Sequence, residues 1–406
     1  MSRGRAGTFA LGAALGLTLV AGAPSAGSAA IAAGGTAPST VSAPALGPTP
    51  AKKKRKTPRR VEVVLGLHNI ESGPAAQDHL APQSPPVPDR LTCGAVMTRS
   101  TAELTFIARL LEGHPVMLAG CGSSPSSWKY PGSRMGGFNR KKDWARDYKK
   151  LAALRTSAAT PTPAAYEKYL LRVKAAFGDQ LEMWEVWNEA ELATFYRGTP
   201  KDLVDLTFVA AKVFGRKHVA APSWCPCSIP VPDAPSGAWV KGRYLTRGEF
   251  ITAYWTNLVA ESRRRGVALP LSVLNMHGYG AGLTPREAAE DRIMKIKAFK
   301  KQAKSLIGRR YRSLQLWDSE WNLRFGDGDP RPPERGFPDT RRNARIWAKS
   351  ARDAACLGVD RQYSYRWLDD PALPGSFESL QLQMNPSTPW LNAAFARTQG
   401  RTVTCP

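Results

Sequence analysis

From residue 116 onward, short apolar runs alternate with longer segments that carry clear helix start and stop signals. The apolar runs are VMLAG (116–120), LEMWEVW (181–187), HVAAP (218–222), LSVLNM (271–276), SLQLW (313–317) and YSYRW (363–367). Between them, helices are expected to open at Thr162-Pro163, Thr199-Pro200, Thr246, Thr284-Pro285 and Thr340. They close at or before Gly178, Gly215, Gly266, Gly308 and Gly358. A capping Thr satisfies free amides, Pro suits the first helical position, and Gly accepts the left-handed exit conformation.

Short β segments alternating with long helices predict repeated βα units around a parallel sheet. Adding VEVVLGL (61–67) and GAVM (94–97) brings the strands to eight. That number favours a (β/α)8 barrel over a doubly wound sheet, and no Gly-rich dinucleotide turn supports the latter. The stretch SGPAAQDHLAPQSPPVPDR (72–90) is too rich in Pro for a first barrel helix, so the N-terminal quarter is expected to be irregular.

Composition limits where the fold starts. Residues 1–30 join Arg3 and Arg5 to an apolar run and small residues at 28–30, the layout of a secretory signal peptide. That run is too short and Gly-rich for a stable membrane span. Residues 31–60 read as an Ala/Pro-rich disordered linker that carries the basic run KKKRK at 52–56. Upstream of it sits an export signal, so this run reads as a solvated charge cluster able to touch an anionic surface, rather than as a nuclear signal. The folded unit is therefore 61–406, in a secreted or envelope-associated protein.

Lys and Arg number 57 against 33 Asp and Glu, and nine of the bases with no acid lie within 1–60. A basic exported protein points to anionic glycans more than to nucleic acid, because the bases are scattered and no nucleic-acid motif accompanies them. Six cysteines after export favour disulfides, with Cys356–Cys405 and Cys93–Cys121 as the expected pairs. Cys225 and Cys227 lack a second pair at zinc-site spacing, so no metal is implied, and no organic cofactor either.

In a (β/α)8 barrel the functional side chains follow the C-terminal ends of the strands. Those positions hold His68 and Asn69, Trp128, Asn188 and Glu189, Trp224, His277 and Tyr279, Glu320 and Trp321, then Trp367 with Asp369 and Asp370. Two carboxylates among indoles and hydrogen-bonding groups suit cleavage of a glycosidic bond. One acid protonates the leaving oxygen while the other attacks the anomeric carbon or activates water.

WNE at 187–189, HGYG at 277–280 and DSEWN at 318–322 resemble the strand-4, strand-6 and strand-7 motifs of clan A retaining glycoside hydrolases. The resemblance is strongest to the β-xylosidase/α-iduronidase-like family and related bacterial endo-acting exopolysaccharide hydrolases, over roughly residues 116–395. It implies Glu189 as acid/base and Glu320 as nucleophile, about 5 to 5.5 Å apart. It also implies that Asn188 binds a sugar hydroxyl and Tyr279 holds Glu320. His277, His68, Asn69, Trp128, Trp321 and Trp367 complete the substrate site, with Trp367 as floor. The family carries an Arg near strand 2 that supports the nucleophile, and Arg99 is the candidate here.

Glu182 and Glu185 fall at or before the middle of strand 4 and are expected to face helices or join an ion pair; Glu191 is expected in solvent. Trp187 reads as core. The substrate is a polysaccharide or oligosaccharide, with an anionic glycan as the first candidate. A non-catalytic sugar-binding protein or an envelope scaffold on the same barrel is the alternative.

Overall fold

The computed structural model describes residues 58–68, 89–91, 100–120, 160–193, 195–225, 235–325, 336–365, 381–382, 384–385 and 387–406. Eight parallel strands close into a barrel. In barrel order they are β2 (Leu65–His68), β3 (Asp89–Leu91), β4 (Val116–Ala119), β5 (Leu181–Glu185), β6 (Val219–Ala220), β9 (Val273–His277), β11 (Gln315–Trp321) and β13 (Arg361–Tyr365). The ring closes where Gln362 and Tyr363 lie beside Leu65 and Gly66. β2, β4 and β9 are buried along their whole length, which is why they read as continuous apolar runs rather than as an alternation.

The helices on the outside are α1 (Thr101–Leu110), α2 (Pro163–Phe177), α3 (Pro200–Phe214), α4 (Arg247–Arg264), α5 (Pro285–Ile307), α6 (Arg341–Cys356) and α7 (Pro389–Thr398). The Thr starts at 162, 199, 246, 284 and 340 all accept a backbone amide three residues on. Thr199 with Asp202 and Thr246 with Glu249 form reciprocal capping boxes.

Three expectations change. The second barrel strand is Asp89–Leu91 rather than residues 94–97, which lie outside the described residues. A three-residue strand directly after a Pro-rich run is too short to give a periodic signal. The segment 61–67 is not one strand. β1 (Arg59–Val63) pairs antiparallel with β14 (Arg401–Cys405), and the chain enters the barrel only at Leu65. Helices α1 and α7 add to the expected set: Ser100 with Glu103 forms a capping box before α1, and α7 opens at Thr388-Pro389. The hairpin of β7 (Pro235–Val240) with β8 (Arg243–Thr246) and the short pair β10 (Gly280–Gly282) with β12 (Leu323–Phe325) carry no clear signal in the sequence pattern.

Inside the barrel Met117, Met183, Ala220, Val273, Trp317 and Tyr363 fill the lower layer. Strand direction then puts Glu185 above Met183, and His277 above Val273, toward the C-terminal mouth.

The expected Cys356–Cys405 disulfide is present and ties the end of α6 to β14, with the Cα atoms 5.3 Å apart. Cys225 is also disulfide-bonded. Cys93 and Cys121 lie outside the described residues, as do the segments read as signal peptide and linker up to residue 57. The Cys356–Cys405 bridge closes a 49-residue separation. Replacing both cysteines by Ser is therefore expected to destabilise the fold by about 2–4 kcal/mol in a non-reducing denaturant titration. An unchanged midpoint would show that the bridge does not hold the β1–β14 pair to the barrel.

Candidate active site

Arg90, on β3, is fully buried at the centre of the site. Its Nε and Nη2 donate to Glu185 Oε2 at 3.0 and 2.7 Å. Nη2 also donates to Asn188 Oδ1 at 2.9 Å, and Nη1 to Glu320 Oε2 at 3.0 Å. Burial works against the guanidinium charge, but the Glu185 and Glu320 carboxylates outweigh it and hold Arg90 above its ordinary pKa. One rigid fork thus links strands 2, 4 and 7.

Arg90, on the second barrel strand, is the arginine that reaches Glu320; Arg99, the candidate named from the sequence, lies outside the described residues. The sequence hides it because it closes the Pro-rich run at 72–90. The one available clue is that Glu185, interior on an apolar strand, requires a buried cation.

Glu189 sits just past β5 with φ +41°, in the left-handed region that a side-chain-bearing residue rarely adopts. Its N–H donates to Ser223 Oγ at 3.0 Å, beyond the end of β6. Its Oε1 lies 2.9 Å from His277 Nδ1. Burial pushes its carboxyl up to about 7, with Arg90 and Arg247 pulling the other way and Glu185 adding to the rise.

His277 is buried, and burial lowers its pKa against the pull of Glu320. A neutral ring carries one proton. Nε2 lies 3.3 Å from Arg90 Nη2, and Nδ1 faces Glu189 Oε1. The same Nε2 is 3.5 Å from Glu320 Oε2. One imidazole therefore touches both candidate carboxylates.

Glu320 also accepts from the Tyr279 hydroxyl at 2.5 Å, and His68 Nε2 lies 3.7 Å from its Oε2. Burial, then the neighbouring carboxylate, raise Tyr279 well above its ordinary pKa, so it remains a donor. The Glu189 and Glu320 side chains are each 12% exposed, whereas Glu185 is sealed. The first two open to the mouth; the third is interior ballast for Arg90.

Glu320 owes its direction to an irregularity in β11, where the register slips on both sides after Asp318. A bulge re-aims a side chain in this way. Asp318 points outward and is clamped by Arg292 of α5 at 2.6 Å; Arg292 also reaches Gln362 Oε1 at 2.8 Å. The other Asp318 oxygen accepts from Gly278 N–H at 2.7 Å, between His277 and Tyr279. A Cβ at Gly278 would collide with the Asp318 carboxylate, so glycine is required there. Both side chains that hold the carboxylates thus flank one backbone amide fixed by Asp318.

The structure gathers Asn188, Glu189, His68, His277, Tyr279 and Glu320 at the mouth. Asn69, Trp128 and Trp367 lie outside the described residues. Trp321 is no sugar platform: it is fully buried and stacked on Trp347 at 4.7 Å, with the Arg292 guanidinium 3.6 Å over its ring. Alternation past the bulge turns it outward against α6. Trp224 is 3% exposed and packs edge-on to Tyr254, and Trp187 donates to Phe195 O; both belong to the core.

Glu191 is not in solvent. The turn after β5 folds inward, and Glu191 is fully buried, accepting from Cys225 N–H at 2.6 Å. Glu182 pairs with Arg361 and Glu185 with Arg90. Tyr365 lies 5.7 Å from Tyr279 and 4.7 Å from His68, which adds an aromatic ring to this pocket that sequence reasoning passed over.

No protein-family model matches the chain, and no curated protein matches it. Among solved structures, a family 39 glycoside hydrolase from Bacteroides cellulosilyticus WH2 is 12% identical with a TM-score of 0.50. The match covers 84% of this chain and 64% of that one, so this chain spans less than two thirds of it. A monomeric beta-xylosidase from Caulobacter crescentus CB15 follows at 13% identity, covering 84% and 70%, with TM-score 0.47. A family 128 (subgroup I) endo-beta-1,3-glucanase from Amycolatopsis mediterranei, in complex with laminaripentaose, is 13% identical over 83% and 99%, with TM-score 0.40. At such identities the likeness is one of fold, and that fold is the (β/α)8 barrel of glycoside hydrolases.

Two measurements check the site. A carbon-13 NMR titration of labelled glutamate is expected to find the Glu189 carboxyl changing near pH 7, neutral below and ionised above. Arg90→Met leaves Glu185 buried without its cation and is expected to cost about 3–5 kcal/mol of stability, read by urea denaturation.

Proposed function

We propose that the chain is an exported retaining glycoside hydrolase, with Glu189 as acid/base and Glu320 as nucleophile. The observation that carries this reading is the His277 ring, which meets Glu189 at one nitrogen and Glu320 at the other. Two carboxylates from strands 4 and 7 therefore share one pocket, in unlike environments. Glu189 is desolvated and titrates near neutrality, as a proton donor must. Glu320 is held by Arg90 and Tyr279, two donors that fix a carboxylate for attack.

In the first step a Glu320 oxygen attacks the anomeric carbon as the bond to the leaving oxygen breaks. Glu189 supplies the proton to that oxygen. In this reading His277 carries its proton on Nδ1 and donates to Oε1, which leaves the transferable proton on Oε2, away from the ring. In the second step the ionised Glu189 takes a proton from water, the hydroxide adds to the anomeric carbon, and Glu320 leaves. Such a double displacement needs carboxyls about 5 to 5.5 Å apart.

Asn188 has its Oδ1 taken by Arg90, so its NH2 is the end offered to a sugar hydroxyl. His68 and Tyr365 line the nucleophile side, and Asn69, Trp128 and Trp367 are proposed to complete the subsites. The substrate class is a polysaccharide or oligosaccharide, reached outside the cytoplasm.

A polysaccharide digestion screen with wild type beside Glu320→Ala and Glu189→Ala tests the reading. Glu320→Ala is expected to abolish hydrolysis, and Glu189→Ala to lower it by about 10²–10⁴-fold. Azide should restore Glu189→Ala on an activated aryl glycoside and give a glycosyl azide of retained configuration. Wild-type hydrolysis by both variants, or an inverted product, would overturn the assignment. Since Glu189 must be protonated in the first step, activity is expected to fall as pH rises through about 7.

A further inference from the structure

Several cations on the described surface are balanced by acids close at hand. Lys201 pairs with Asp205 at 3.2 Å, Lys212 with Glu167 at 2.6 Å, Arg243 with Glu249 at 2.7 Å, and Lys349 with Asp353 at 2.6 Å. The second half of α5 and the 3-10 turn after it (Gly308–Ser313) break this pattern. Between Asp291 and Asp318 the sequence has nine bases and no acid. Arg292 is used in the wall pair with Asp318, Lys295 by Asp291, and Lys300 by the Leu357 carbonyl. Of the remaining six, Arg310 is half-buried, and Lys297, Lys301, Lys304, Arg309 and Arg312 are all exposed and without an ion-pair partner among the described residues.

The three lysines recur at i, i+4 and i+7, so they form one stripe about 10 Å long. On α6, which packs beside α5, Arg345 and Arg352 are likewise exposed and unpaired among the described residues. Compensation of the helix dipole does not account for the stripe. That effect is confined to the last turn, which holds only Lys304. Lys297 and Lys301 repel at i,i+4, an arrangement that weakens a helix unless something neutralises it.

We propose that this α5–α6 wall is a docking surface for an anionic polysaccharide, separate from the mouth that carries Glu189 and Glu320. The stripe lies on the outer helical layer and repeats its positive groups at helical spacing, which suits a polymer with repeated negative groups rather than a small ligand in a pocket. The only aromatic residue of α5, Phe299, is buried, so there is no platform for nucleobases. Met294 is its one large exposed apolar side chain, too little to anchor in a bilayer. α5 runs from the mouth toward the base, and the stripe occupies the half nearer the base. A polymer held there leaves the mouth free. The proposal extends the glycosidase reading and does not need it, since binding is measured without turnover.

The test uses the full chain on immobilised polygalacturonate. The wild type is expected to be retained at low salt and released as salt rises. Lys297→Glu/Lys301→Glu/Lys304→Glu is expected to weaken binding by about tenfold or more, the combined effect of three exposed contacts. A charge-matched control away from this wall, Lys168→Glu/Lys201→Glu/Lys212→Glu, should weaken it far less. Replacing the basic residues at 52–56 by Gln should leave the effect of the wall substitutions intact. Circular dichroism melts confirm that each variant is folded. Failure of the wild type to bind, equal losses in the wall and control variants, or tighter binding to duplex DNA or anionic vesicles would each overturn the proposal.

Discussion

A guanidinium with no access to water is the constraint around which the barrel is organised. Arg90 brings a positive charge into the interior, and its fork is satisfied only if Glu185, Asn188 and Glu320 all converge on it. An unpaired charge there would be far costlier than any packing defect. The strands bearing those residues are therefore fixed in relation to one another before any substrate arrives. Glu185 has no route to the mouth and does no chemistry, yet without it Arg90 could not be kept beside Glu320.

A second clamp lies outside the strands. Asp318 and Arg292 join β11 to α5, and the free Asp318 oxygen fixes the Gly278 amide. His277 and Tyr279, on either side of that amide, each hold one of the two carboxylates. The inner and outer ion pairs thus act on the same few atoms from opposite faces of the wall. Preorganisation of this kind places the cost of orienting the groups in folding.

Much of this was legible in the sequence, for identifiable reasons. Helices with Thr starts and Gly ends announced themselves, and the apolar runs between them gave strands 3 to 8. The placement of Glu189, His277, Tyr279 and Glu320 followed from their position after those runs. What was hidden depends on pairings between distant segments. Arg90 belongs to a three-residue strand whose identity comes only from its neighbours β2 and β4. The outward turn of Trp321 comes from a bulge that no local pattern encodes. Glu191 looked like a solvated turn residue because nothing nearby in sequence announces the Cys225 amide that meets it. The scattered look of the basic residues had the same origin, since helical spacing and missing acids gather some of them on one wall.

The left-handed backbone at Glu189 has a consequence beyond the pocket. A residue with a Cβ held at φ +41° stores conformational energy that glycine or asparagine would release. Its carboxyl, kept from water, adds a further penalty once it ionises. The position proposed as acid/base is thus among the least comfortable in the molecule, and the rest of the barrel must be sturdy enough to carry it. Stability alone would favour glycine or asparagine at this position, so the glutamate there is a cost that the proposed chemistry would justify.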